Sequence, residues 1–386
     1  MNQTEILKSR WASPFAIAIY YAFFKLSIHL LTSEAYGYFR DELYYIVSGD
    51  HLDWGYVDMA PMAAWAARAS RIVFGDSLFG LRVLPAVAGA LKILLTGLMV
   101  KELGGRRLAV AGACLSVLVG GYLALDSFLS MNAFEPVFWM GSAYAIVLAI
   151  NRNDSRYWLL FGFLAGLGLE NKHSILFFGF AIFVGLLLTP TRRFLADRWF
   201  WIGGAVAVIL FLPNLIWEYR HDWATIELLQ NVQKEGKNVV LSPVAFIGQQ
   251  IFLLNPVTLP VWLAGLWYFL FDQAGKRFRV LGIGYLVTLV LMILLKGKSY
   301  YLLPAYPMLF AGGAVWWTNM LSRQVKLKWL KVAYPLLLII SGFLFAPFML
   351  PVLSGETFLH YQQALGLELP KTEVELLPLG ATRLYG

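Results

Sequence analysis

The sequence predicts an all-α polytopic membrane protein, and three observations carry that reading. Of the 386 residues, 59% are hydrophobic and only 14% are charged, where soluble domains run nearer to roughly a quarter charged. The apolar residues fall in runs of about 20, the length of helix that crosses a hydrocarbon core. The basic residues collect in alternate short loops between those runs, which is the signature of membrane topology.

Taken in order, the apolar runs lie near 14–33, 78–100, 107–125, 132–150, 157–170, 173–189, 199–217, 244–270, 280–297, 301–320 and 332–352, which makes about eleven spans. The first follows Lys8 and Arg10, is long for a signal-peptide core and lacks a small-residue cleavage site, so it reads as a retained span. The fifth is short, and it and the sixth are candidates for a broken pair. The domain reading is one transmembrane unit over 1–352, with a first outer loop at 34–77, a second at 218–243, and a tail at 353–386 placed on the outer side.

With the N-terminus inside, 17 of the 31 Lys and Arg fall in short inner segments, whereas 18 of the 23 acids fall in outer loops or at outer span ends. The basic bias sets orientation. The acid bias is additional and points to work on the outer face. The formal charge of +8 is spread over these loops, so it argues topology and not nucleic acid. The single Cys114 precludes an intrachain disulfide.

The stretch Tyr38–Pro61, YFRDELYYIVSGDHLDWGYVDMAP, holds Arg40, Asp41, Glu42, Asp50, Asp53 and Asp58 among Tyr and Trp residues. If it is helical, Asp41 and Tyr45 share a face, and a carboxylate beside a membrane cavity can take a proton from an attacking hydroxyl. The alternative is a solvated carboxylate paired with Arg40. Asp58, ahead of Pro61, either lines the same cavity or caps the next helix. Asp126 and Glu135 flank the next outer turn, and an ionisable group at membrane depth is a functional candidate. Glu135 could instead complement a helix N-terminus.

Lys172 and His173 interrupt the apolar GLGLENKHSILFF, two cationic candidates suited to a phosphate, unless the lysine only snorkels to headgroups. Arg220, His221 and Lys298 also break the positive-inside pattern. An anionic ligand would account for them, and so would anionic lipid headgroups. Lys25 and Lys92 fall within spans, where snorkelling or helix pairing is the ordinary role. No HExxH or close His pair occurs, so no dedicated metal is required, although a divalent cation held by Asp41, Asp58 and Glu135 stays open. No Walker loop is present, so a nucleotide substrate lacks support.

In this order the motifs resemble the polytopic glycosyltransferases of the GT-C type, in particular bacterial relatives of protein O-mannosyltransferases and lipid A aminoarabinose transferases. The similar pattern spans roughly residues 10–320. It comprises Asp41-Glu42 with Tyr45, Gly49-Asp50, Asp58 before Pro61, Asp126, Lys172, and Lys298 with Tyr300, Tyr301 and Pro304. The resemblance implies a GT-C fold whose first outer loop carries short surface helices. It implies an inverting transfer from a polyprenyl-phosphate sugar donor to a hydroxyl of a lipid, glycan or protein acceptor, at the periplasmic or exterior face of a bacterial inner membrane. It also implies Asp41 and Glu42 as the catalytic pair. Arg40, Tyr45, Asp58, Asp126, Glu135, Lys172, His173, Arg220, His221, Lys298, Tyr300 and Tyr301 are then expected to bind substrate. One departure is Met59, where the aminoarabinose transferases carry a Lys, which weakens lipid A as acceptor.

The rival readings are a transporter or lipid flippase and a non-catalytic scaffold. A transporter should show internal repeats and interrupted helices at corresponding positions in two halves; no repeat is evident, and the acids lie at the outer edge and not mid-membrane. A scaffold has no reason to bring Asp41, Asp58, Lys172 and Lys298 together.

Overall fold

The computed structural model describes residues 13–235 and 239–367. Expectations on Lys8, Arg10 and most of the tail lie outside them. Among the described residues every regular element is a helix. The main ones are α1 (Pro14–Thr32), α2 (Arg40–Asp50), α3 (Met62–Phe74), α4 (Leu78–Glu102), α5 (Arg107–Leu118), α6 (Tyr122–Leu125), α7 (Met131–Arg152), α8 (Tyr157–Asn171), α9 (Ile175–Leu187), α10 (Arg198–Arg220), α11 (Ala224–Lys234), α12 (Pro243–Leu253), α13 (Leu259–Leu270), α14 (Arg279–Leu294), α15 (Tyr306–Arg323), α16 (Leu330–Met349) and α17 (Gly355–Leu365).

Helix starts follow local chemistry. Ser13 and Ser242 cap α1 and α12, each followed by a proline at the first helical position, where its missing N–H costs nothing. Ser77 caps α4, accepting from the Gly80 N–H at 3.0 Å. The apolar faces then pack as an interlocked bundle. α1 lies on α4 and α5, α8 on α10, α9 on α14, and α13 on α15. The α13–α15 crossing depends on Gly265 and Gly313, because a methyl at either would overlap the facing backbone.

Among the described residues, six helices are long and apolar enough to cross a membrane, and two bent pairs raise this to eight if each is one span. Several of the apolar runs marked in the sequence are interrupted at particular places. The 107–125 run stops at Leu118 and resumes as the short α6. The 244–270 run breaks between α12 and α13 with a 98° bend. There Asn255 is left-handed, with φ of 70°, and precedes Pro256, which has no N–H to continue the ladder. Its amide holds the corner together by donating to the Val119 carbonyl and to Ser341 Oγ. A second bend, of 111°, follows α9.

The first outer loop carries α2 and α3, the short helices expected there. They pack through a small cluster of Tyr45, Met59, Ala63, Ala64, Ala67, Leu81 and Leu129, separate from the main core. Helix α4 fixes the molecule's polarity. Its first turns hold Arg82 against Glu42, and its last residue, Glu102, pairs with Arg152 at 2.7 Å. At about 1.5 Å per residue, the 20 residues from Arg82 to Glu102 along α4 separate the two pairs by about 30 Å. The acid-rich loops therefore lie at one end of the bundle and the basic loops near Arg106 and Arg152 at the other.

Candidate active site

The acid-rich end brings together three groups of side chains. The first is on α2. Asp41 is at its start with a side chain 41% exposed, and its Oδ1 accepts from Arg40 Nε at 3.1 Å. One turn on, Tyr45 is buried, and both Asp41 and Asp58 act on its ring. Tyr44 donates to Asp58 Oδ1 at 2.6 Å. Burial first, then Asp58 at Tyr44 and Asp41 with Asp58 at Tyr45, raises both phenols above their ordinary range. Tyr44 therefore serves Asp58 as a hydrogen-bond donor and not as a base. Asp58 does not cap α3, whose N-cap is Pro61.

Glu42 departs from the expected catalytic role. A rotation of about 100° per residue turns it away from Asp41 and into the protein, where it is fully buried. Arg82 grips it with Nη2 at 2.7 Å and Nε at 3.0 Å. The Phe39 and Leu129 N–H groups donate to the same carboxylate at 2.8 and 2.9 Å. With four donors on two oxygens, it is a structural acid that ties α2 to α4 and to the turn before α7.

Asp126 departs likewise. It is wholly buried, with Lys25 Nζ 2.8 Å from one oxygen and Lys92 Nζ 2.8 Å from the other. The two span lysines thus pair with it instead of snorkelling, and no oxygen is left to line an open cavity. Lys92 also lies over the Tyr122 ring at 4.7 Å.

The second group sits where α7 begins and α8 ends. Lys172 Nζ donates to Glu135 Oε2 at 3.0 Å and to Asn132 Oδ1 at 2.8 Å. It lies 4.0 Å from the centre of the Tyr301 ring and 5.7 Å from that of Tyr300. The lysine of the GLG segment and the two tyrosines after Lys298 therefore meet, across about 130 residues of chain. Glu135 also accepts from Ser174. It is a buried partner of Lys172 and not a free acid. Lys298 is half-buried and caps the short helix Ser299–Ala305 that carries both tyrosines.

The third group joins the loops. His173 Nε2 lies 2.9 Å from Asn214 Oδ1, and Asn214 Nδ2 donates to the Trp54 carbonyl at 2.7 Å. Gly55 packs so tightly on Trp217 and Asn214 that a methyl there would overlap both. His221 stacks on Trp217 with ring centres 4.1 Å apart. Thr225 donates to the Val57 carbonyl and to buried Glu218. Arg220 is exposed, and no bond among the described residues joins Arg220 or His221 to Lys172. Asn214, Trp217 and Glu218 were not singled out in the sequence. The one signal for them is a polar residue one position after Pro213, inside an apolar run.

Met131 and Phe134 of α7 pack against the Tyr45 cluster, so the α2 group and the Lys172 group share one wall. Met59, at the position of the departure noted above, is buried in that cluster. Among the described residues no three His, Cys, Asp or Glu converge to hold a metal ion.

Residues 58–217 match the family model described as dolichyl-phosphate-mannose-protein mannosyltransferase. The lipid A galacturonosyltransferase RgtD of Rhizobium johnstonii is 28% identical over 244 residues, 62% of this chain and 50% of its own length. The chain thus spans about half the length of that curated relative. In fold, the chain is similar to ArnT from Cupriavidus metallidurans, solved bound to undecaprenyl phosphate, with a TM-score of 0.67 and 14% identity over 89% of this chain and 67% of that one. It is also similar to the Archaeoglobus fulgidus oligosaccharyltransferase, with a TM-score of 0.58 and 12% identity over 85% and 53%. In fold, the chain is similar to the polytopic GT-C structures, and the sequence match to the mannosyltransferase family model covers residues 58–217.

Proposed function

We propose that this protein is an inverting glycosyltransferase that moves a sugar from a polyprenyl-phosphate donor to a hydroxyl acceptor, at the outer face of a bacterial inner membrane. The observation that carries the proposal is the junction of Lys172 with Tyr300 and Tyr301 at the same end of the bundle as a half-open Asp41. A donor with a greasy tail reaches such a site from the bilayer. Its phosphate leaves as an anion, and a fixed cation stabilises the charge that develops. Glu135 and Asn132 hold Lys172 in one place, so little reorganisation is needed when that charge appears.

The proposed step balances as follows. The acceptor hydroxyl gives its proton to the Asp41 carboxylate as its oxygen attacks the anomeric carbon. The bond from that carbon to the phosphate oxygen breaks, and its electron pair leaves with the phosphate. Attack opposite the leaving group inverts the centre. The likeness to RgtD, named for lipid A, supports a lipid acceptor, while buried Met59 removes one cationic contact from the aminoarabinose pattern.

The test is single-turnover transfer by purified protein, offered isoprenyl-phosphate sugars and a panel of lipid hydroxyl acceptors. Sugar transfer with inversion supports the reading. Protein-dependent movement of the lipid-linked sugar across vesicles, with no transfer to any acceptor, would replace it with a flippase.

A further inference from the structure

His173 stands next to Lys172, and the sequence alone groups the two as phosphate ligands. The hydrogen bonds around Asn214 separate them. Asn214 is fully buried at the end of α10, so its amide must be satisfied by protein. Its two bonds run to the Trp54 carbonyl at 2.7 Å and to His173 Nε2 at 2.9 Å. A carbonyl only accepts, so the amide nitrogen must face Trp54 and the amide oxygen must face the histidine. The reverse orientation would set two oxygens against each other at 2.7 Å in a buried position, which is strongly unfavourable. An oxygen facing Nε2 requires a proton there. In the neutral ring the proton is then absent from Nδ1, which holds a lone pair.

That lone pair is unused. No described residue bonds to Nδ1, and it is not among the atoms sealed from solvent without a partner. The ring is half-buried and held edge-on by Phe211, with centres 5.5 Å apart. A bare nitrogen lone pair repels a phosphate oxygen and attracts an O–H.

We propose that His173 reads a hydroxyl of the sugar. Asn214 holds its Nε2–H, and Nδ1 accepts a hydrogen bond from that hydroxyl while Lys172 alone meets the phosphate. This rests on the transferase reading above and deepens it: His173 becomes a specificity residue and Asn214 the residue that positions it. A site that bonds a particular hydroxyl discriminates against donors that lack it.

Two substitutions separate the two nitrogens. His173→Gln places an amide near Nε2, keeping the Asn214 bond and losing the acceptor at Nδ1. His173→Asn places its amide near Nδ1 and loses the Asn214 bond. The probes are a short-chain isoprenyl phosphate, alone and as its glucosyl, galactosyl, mannosyl and galacturonosyl derivatives, with affinities measured on the full chain in nanodiscs. His173→Gln is expected to weaken the preferred glycoside by about 2- to 10-fold and leave the bare phosphate unchanged, with His173→Asn recovering part of the loss. An equal loss on the bare phosphate, or no loss on any glycoside, overturns the proposal.

Nitrogen-15 spectra of histidine-labelled protein, with His173 assigned by its loss in the Gln variant, should show Nε2 protonated and Nδ1 bare. A proton on Nδ1 overturns the inference and leaves the transferase reading standing. If the wild type binds no glycoside at all, the transferase reading fails and takes this inference with it.

Discussion

Glu42 and Asp41 are neighbours of the same charge, one buried against Arg82 and the other half-open and proposed as the base, which makes Glu42→Gln a sharp perturbation. The substitution keeps the shape and removes the charge. Arg82 would keep its bonds to the carbonyls of Ser33 and Gly37, at 2.5 and 2.9 Å, with no anion to balance it. The new amide would also present a donor where at least one of Phe39 N–H, Leu129 N–H and the guanidinium now donates. Removing one partner of a buried pair typically costs about 3–5 kcal/mol. At roughly 2 °C per kcal/mol for a chain of this size, melting should fall by about 6–10 °C. The assay is thermal unfolding of purified protein followed by size-exclusion fluorescence. Glu42→Met with Arg82→Met should cost less than the sum of the two single changes, because no buried charge is then stranded. If Glu42→Gln melts like wild type and yet abolishes transfer, while Asp41→Asn transfers normally, the assignment is wrong and Glu42 is the base.

Three further outcomes follow from the same geometry. Asp41→Asn should slow single-turnover transfer by about 10²–10⁴ while donor binding survives, and a wild-type rate would move the base to Asp58. Asp126→Asn strands two buried lysines and should destabilise by about 3–5 kcal/mol; unchanged melting would show that the triad contributes nothing. Single cysteines at positions 41 and 106 should label from opposite sides of the membrane, against a silent background because the only native cysteine, Cys114, is buried. Labelling of 106 and not 41 from outside would invert the topology.

What the sequence made legible is what depends on local pattern. The apolar runs, the basic loops and the two short helices of the first outer loop are properties of contiguous residues. So is the facing of Asp41 and Tyr45, one helical turn apart. What it hid are pairings between distant residues. Lys25 and Lys92 read as isolated span lysines, because the Asp126 that neutralises them lies on a turn far along the chain. The Asn255-Pro256 corner was also present in the sequence as a strong breaker, but the apolar residues on both sides joined across it into one apparent span. Asn214 was the hardest to see. A neutral amide in an apolar run has no charge to flag it, and its role exists only once Trp54 and His173 are beside it.

The acid bias that pointed to function at this end of the molecule is partly architecture. Three of its buried acids each have a dedicated cation from another element: Glu42 has Arg82, Asp126 has Lys25 and Lys92, and Glu135 has Lys172. These pairs fasten α2 to α4, the α6 turn to α1 and α4, and α7 to the end of α8. Subtracting them leaves Asp41 and Asp58 as the carboxylates beside Tyr45 that still face solvent. Asp58 already accepts a hydrogen bond from Tyr44 at 2.6 Å, whereas the partner of Asp41 is an Arg40 side chain that is 78% exposed and able to swing aside. An exposed pair of that kind is worth little, so an acceptor hydroxyl can displace Arg40 at small cost. The same displacement at Asp58 would break its 2.6 Å bond from the Tyr44 hydroxyl. Geometry thus favours Asp41 as the base and leaves Asp58 to hold the tyrosine that packs beside it.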